Sequence, residues 1–350
     1  MPQTSGPTGT YRVVQVHPLL RCNLRCLHCY SESSPRQLAT LAIEPLCRAL
    51  ETLREEGFNG VGVSGGEPLM YSELRPLLEH VRSLGMIATV TTNGMLIDDA
   101  RASMLQELTD LVAISIDGPP DAHNTVRAHP RAFDHMERGI AYLKNAGVPF
   151  GLIFTLTQFN LDQISWIAEY AVSHGAGLFQ VHPLEEVGRA SGSLPGAAPD
   201  ALELARAFVE VARLQAEYAG RLVIQYDVAD LGILSAHPER GFAAGSCACV
   251  NAPGARFADV IAPVIVEADG AIVPLQYNFS RAFQIGNVHV PDLKGQLDTW
   301  RRERFDSFLA LCSGVYNRVL FDNRPEYPFV NWYGEVLAAS TVPQKMETAV

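Results

Sequence analysis

The 350-residue sequence contains no run approaching the roughly 20 consecutive apolar residues that a helix needs to cross a bilayer, so no membrane association is expected. Its start, "MPQTSGPTGTYRVV", has neither a basic head nor an apolar stretch, which argues against an export signal. Positive charge is in deficit, with 27 Lys and Arg against 38 Asp and Glu, a formal net charge of -11. A field of that sign repels phosphate backbones, and nucleic acid is not an expected partner. Cysteine is limited to seven, an odd number, and three of the seven crowd into eight positions. That is no disulfide framework, and it points to a reducing cytoplasm. Low-complexity tracts are absent. What remains, 47% hydrophobic and 19% charged residues, suffices for one large core or for a core with a smaller appended domain.

Apolar, β-branched runs alternate along the chain with segments of helical period. "YRVVQV" precedes the helix pattern starting at Ile43, "GVGVS" leads to "SELRPLLEHVRSLG", and "MIATVTTNG" leads to a helix near Asp98. "LVAISIDG", "FGLIFTL" and "LFQVHPL" repeat the rhythm, the last before a long helix from about Ala201 to Tyr218. Six such units predict an α/β fold, a parallel sheet closing into a partial (β/α)6 TIM-like barrel over residues 1–234. Beyond the linker-like "SAHPERGFAAGS", "VIVEADGAIVPLQY" reads as a β-hairpin turning at Asp269-Gly270, with a helix near Leu297 to Leu309. Residues 235–350 are therefore expected to form a small α+β C-terminal domain.

In a parallel sheet the reactive groups gather on loops at the carboxyl ends of the strands. Cys22, Cys26 and Cys29 follow strand one, "SGGEP" (Ser64 to Pro68) strand two, "TTNG" (Thr91 to Gly94) strand three and "SIDG" (Ser115 to Gly118) strand four. Three thiolates on one loop suit zinc or an iron–sulfur cluster. For zinc the nearest fourth ligand, His28, lies between Cys26 and Cys29, where a tetrahedral site is strained. A four-iron cluster held by three cysteines leaves one iron open to an outside ligand.

Cys22-x-x-x-Cys26-x-x-Cys29, with the aromatic His28 before the last cysteine and "GGEP" after the next strand, resembles the radical S-adenosylmethionine (SAM) superfamily over roughly residues 12 to 190. The resemblance implies a 4Fe-4S cluster on Cys22, Cys26 and Cys29, with SAM on the open iron and cleaved to a 5'-deoxyadenosyl radical. It places the SAM amino group at Gly65 and Gly66, with Glu67 bracing that loop. Ser115 and Arg127 match positions holding the SAM carboxylate, a role suited to the planar guanidinium fork. His28 would stack near the adenine and Leu184 would cover its other side. Thr92, Asn93, Thr157 and Gln180 could line the site or simply form turns, and His182, Glu185 and Glu186 could face substrate or water.

The C-terminal "VEADGAIVPL", "IGNV" and "LDTW" resemble the SPASM or twitch module, which in related maturases binds further iron–sulfur clusters. Here the cysteine expected five residues after the hairpin glycine is Leu275. Cys247, Cys249 and Cys312 remain as at most three ligands for a second cluster, and the missing cysteine favours its loss. Gln276 stands where sulfatase-maturating relatives carry an Asp that serves as catalytic base, and Gln takes no proton at neutral pH, which disfavours that activity.

The resemblance implies a radical SAM oxidoreductase or maturase acting on a ribosomal peptide or a natural-product intermediate. A haem-pathway enzyme modifying tetrapyrrole side chains is the alternative within enzymes, and a non-catalytic iron–sulfur redox or sensor protein the alternative outside them. An external electron donor such as flavodoxin or ferredoxin is implied. With no peptide-recognition domain ahead of strand one, a peptide substrate calls for a separate recognition protein.

Overall fold

The computed structural model describes residues 11–244, 254–322 and 326–341. Seven parallel strands lie side by side in chain order: β1 (Val13–Val16), β2 (Gly60–Val63), β3 (Ile87–Thr92), β4 (Leu111–Ser115), β5 (Phe150–Leu156), β6 (Leu178–Pro183) and β7 (Val223–Tyr226). Helices fill the crossovers, among them Ile43–Glu55, Leu74–Ser83, Ala132–Ala146 and Ala201–Glu217. Their ends are written locally. Asp200 and Glu203 form a reciprocal capping box at the start of the last of these, and Gly147 ends the one before it in the left-handed conformation. Among the described residues no helix is long and apolar enough to cross a membrane.

Burial alternates along the strands with period two. Val14, Val16, Val90, Phe179 and Val181 are wholly buried on the helix-covered face. Between them stand Gln15, Thr89, Thr91, Gln180 and His182, which are only half-buried. The concave face of this sheet is thus polar at many positions and supplies the floor of a cavity, where a packed barrel would carry branched apolar residues.

The chain continues through β8 (Ala229–Asp230), β9 (Val264–Val266), β10 (Ala271–Pro274), β11 (Gly286–Asn287) and β12 (Phe329–Val330). The expected hairpin is β9 and β10, turning at Asp269 and Gly270, and two helices, Leu293–Glu303 and Phe305–Asn317, occupy the region of the expected one. Sequence patterning did not show that β9 pairs parallel with β1, Val14 opposite Val264 and Val16 opposite Val266. The result is one open ten-stranded sheet in the order β11-β10-β9-β1-β2-β3-β4-β5-β6-β7. Helix Leu231–Ala236 straddles residue 234, and a single apolar core runs from Val14 to Leu337. Glu56 ties the two regions further, accepting from the Phe257 amide at 2.8 Å and pairing with Lys294.

Candidate active site

The cysteine loop leaves β1 and closes over the carboxyl rim of the sheet. Cys22, Cys26 and Cys29 line one cavity of about 200 Å³ together with His28, Gly65, Gly66, Glu67, Thr92, Asn93, Ser115, Arg127 and Leu184. The structure therefore gathers at one cavity the three cysteines and the seven other residues singled out for a cofactor. Thr157 and Gln180 are engaged elsewhere, Thr157 by the Phe159 amide and Gln180 by Asp227.

Two glycines explain how the loops stack. A Cβ on Gly66 would lie 2.1 Å from the Arg21 carbonyl, and one on Gly188 would lie 2.2 Å from the Tyr30 carbonyl. The close approach these residues permit is to the backbone of the cysteine loop itself. Arg189, next in line, binds that loop from outside: its Nη1 donates to the Cys26 carbonyl at 2.8 Å and its Nη2 to the Ser33 carbonyl at 2.7 Å. Arg189→Ala should lower stability by about 2 kcal/mol, the scale of charged hydrogen bonds to carbonyls, and speed iron release to a chelator. Thermal melts and chelator kinetics check this, and unchanged iron release would remove the clamp role.

Glu67 is buried, and its carboxylate is used up within the protein. It accepts from Thr92 Oγ1 at 2.6 Å, the Asn93 amide at 2.9 Å and the Leu69 amide at 3.1 Å, so it fastens strand ends two and three together. Burial raises its pKa despite those donors.

Asp117, inside the "SIDG" turn, was not singled out from sequence. It is the hub of the far wall, 1% exposed, with Oδ2 2.6 Å from Arg127 Nε and Oδ1 3.1 Å from His28 Nε2. Burial opposes its ionisation, and the Arg127 guanidinium, helped by His28 and His123, outweighs burial and holds its pKa far below the carboxylate range. Arg127 is correspondingly held charged, with burial overcome by Asp117 and by Cys26. His123 accepts the Asp117 amide at 3.2 Å, and burial followed by Arg127 lowers its pKa to about 4, leaving it neutral. The signal that could have revealed Asp117 is its short spacing to Arg127, ten residues, one loop and one helix on.

The donor set fits an iron–sulfur cluster. Burial, then Glu67, pushes the Cys22 thiol up to about 12, and burial also raises Cys26, so without a cation in place of the proton these sulfurs stay protonated. Polar hydrogens face them as they would a ligating thiolate: the Leu24 amide is 3.4 Å and Asn93 Nδ2 3.9 Å from Cys22 Sγ, and Arg127 Nη1 is 3.8 Å from Cys26 Sγ. Among the described residues no three His, Cys, Asp or Glu are grouped to share a single ion, whereas a cluster takes each thiolate on a separate iron. For a second cluster, Cys247 and Cys249 lie outside the described residues. Cys312 sits in the apolar core, where burial pushes its pKa up to about 12.

The C-terminal hairpin reaches this site. Leu275 is buried in the core with a φ of 62°, and Gln276 Nε2 donates to Glu185 Oε1 at 2.5 Å. Tyr277 stacks on His17 at 4.8 Å and meets Tyr30, the residue after Cys29, edge-on at 5.5 Å.

Residues 16–171 match the sequence model of the Radical SAM superfamily. An AdoMet-dependent heme synthase of Oleidesulfovibrio alaskensis is 34% identical over 176 residues, 49% of this chain and 45% of the relative. An Fe-coproporphyrin III synthase of Methanosarcina barkeri is 34% identical over 41% of this chain and 37% of the relative. The sporulation killing factor maturation protein SkfB of Bacillus subtilis is 28% identical over 49% of this chain and 42% of the relative. The matched region thus spans less than half the length of each of these relatives. In fold, the chain is similar to anSMEcpe with bound AdoMet, with a TM-score of 0.64 over 93% of this chain and 95% of the other at 18% identity. It is also similar to Streptococcus suis SuiB bound to precursor peptide SuiA, with a TM-score of 0.66 over 85% and 66% at 18% identity.

Proposed function

From the match of residues 16–171 to the Radical SAM superfamily, we propose that the chain is a radical SAM enzyme and that it modifies a tetrapyrrole side chain. The observation that carries the catalytic part is the meeting of Cys22, Cys26 and Cys29 with Ser115 and Arg127 at one cavity. The tetrapyrrole part rests on the 34% identity to a heme synthase and to an Fe-coproporphyrin III synthase, above the 28% to a peptide maturation protein. A peptide or natural-product substrate, the first expectation from sequence, becomes the second reading. It is favoured by Glu185 and Glu186 at the 730 Å³ cavity beside the site, whose other charged pair, Arg318 and Glu335, is closed on itself at 2.7 Å.

In this reading Cys22, Cys26 and Cys29 would hold a 4Fe-4S cluster, and SAM would be its outside ligand. When bound, that pair supplies one-electron reductive cleavage of SAM to methionine and a 5'-deoxyadenosyl radical, which takes a hydrogen atom from substrate. Arg127 keeps its Nε on Asp117, and Nη2 has no hydrogen-bond partner among the described residues, so it offers a donor to the SAM carboxylate beside Ser115. His28, held by Asp117, and Leu184 would flank the adenine. Leu184, Ala190 and Ala197 form a dry apolar patch that keeps water from that side. The electron comes from an external donor such as flavodoxin or ferredoxin.

The test is oxygen-free reconstitution with iron, sulfide, SAM and reductant. Fe-coproporphyrin III should raise release of 5'-deoxyadenosine at least tenfold above the substrate-free rate, with a mass change in the porphyrin. Stimulation by a basic cysteine-containing peptide and none by the porphyrin would select the second reading.

A further inference from the structure

The residues named so far leave one large feature unused. A cavity of about 800 Å³ lies between β7, the helix Ala201–Glu217 and the C-terminal helix Trp332–Thr341. That volume falls within the roughly 300–1,000 Å³ of ordinary small-molecule sites. Its wall carries Phe208, Tyr226, Phe329, Trp332 and Tyr333, and the Phe208 and Phe329 rings are stacked 4.2 Å apart. Phe208, Tyr333 and the neighbouring Ile233 remain 42, 39 and 50% exposed, an apolar patch open to solvent.

The carboxylates of the cavity are each engaged from within the protein. Asp227 receives Gln180 Nε2 at 2.6 Å and lies 3.2 Å from His182 Nδ1, and Asp230 caps the Ile233 amide at 2.8 Å. Arg240, on the rim, has no ion-pair partner among the described residues. Arg240 is thus a charged side chain of this wall left without an internal ion pair, and the open surface beside it is aromatic. Of the residues around this cavity, His182 alone also lines the cysteine-bearing cavity.

We propose that this aromatic cavity is the binding site for the body of a planar, carboxylate-bearing macrocycle, with Arg240 receiving a carboxylate and one ring substituent passing His182 toward the cysteine-bearing cavity. The assignment rests on the tetrapyrrole reading above and adds where such a substrate lies. A flat ring stacks on the aromatic wall, and the guanidinium pairs with a carboxylate. His182 is the positioning residue at the doorway, its ring fixed by Asp227.

The experiment titrates Fe-coproporphyrin III into the cluster-loaded, SAM-bound protein without oxygen, following the shift of the porphyrin's main absorption band. Phe208→Ala and Arg240→Glu should each weaken binding about tenfold. Val209→Ala, on the same helix but facing another cavity, should leave it within twofold. Both variants are at exposed or rim positions, and unchanged circular dichroism serves as the folding control. Wild-type affinity in both variants, with porphyrin turnover retained, would overturn the cavity assignment and leave the tetrapyrrole reading standing. Equal losses in all three variants would overturn it as well. Absence of porphyrin binding to the unaltered protein would overturn both.

Discussion

Replacing Cys22, Cys26 or Cys29 by alanine is expected to abolish the brown iron–sulfur absorbance and to take 5'-deoxyadenosine release below detection. Each cysteine is on the same short loop and opens to the same cavity, and no other cysteine among the described residues lines it. A cluster that keeps one thiolate on each of three irons cannot exchange a lost one for Cys47 on its helix or for Cys312 in the apolar core. The fold should survive, because the loop is also fastened by Arg189 and by the Glu67 amide on the Arg21 carbonyl at 2.9 Å. Absorbance and iron analysis after identical reconstitution decide the matter. A variant retaining full iron and activity would remove the assignment of that cysteine.

Asp117→Asn is the second large effect. It leaves the Arg127 guanidinium buried beside a neutral amide, and breaking a buried pair from one side costs roughly 3–5 kcal/mol. It also frees Arg127 and His28 from their common anchor, so SAM affinity should fall about tenfold. The acid response separates the pair from a general loss of packing. A carboxyl whose folded pKa is depressed stabilises fully above its unfolded value of about 4, and the contribution is lost as pH falls below that value toward the folded one. The unaltered protein should therefore lose stability on acidification below about pH 4 more steeply than the Asn variant. Urea midpoints between pH 3 and 6 measure the difference. Parallel curves would show that Asp117 contributes no charge-dependent stability.

The β/α alternation was legible because each unit carries its own signal, a β-branched run followed by helical spacing. The cysteine loop and the strand-two glycines were legible because their order along the chain maps onto one rim of a parallel sheet. The pairing of β9 with β1 was not, since nothing in a three-residue run of Val and Ile names a partner some 250 residues earlier. Asp117 and Arg189 were missed for a related reason. Each looks locally like an ordinary polar turn or loop residue, and its importance comes from groups that only folding brings within reach. Gln276 was read as a lost base, and its contact with Glu185 gives it a different use, bridging the hairpin to the end of β6.

The parallel pairing of β9 with β1 bears on biosynthesis. As the polypeptide emerges, β1 gains β2 early, but its other edge stays bare until residue 266 has left the ribosome. The strand that leads into the cysteines is thus the last of β1 to β6 to be flanked on both sides, β7 remaining an edge. A product truncated before β9 would leave that edge of β1 open beside its thiols, a bare ribbon able to pair with another chain.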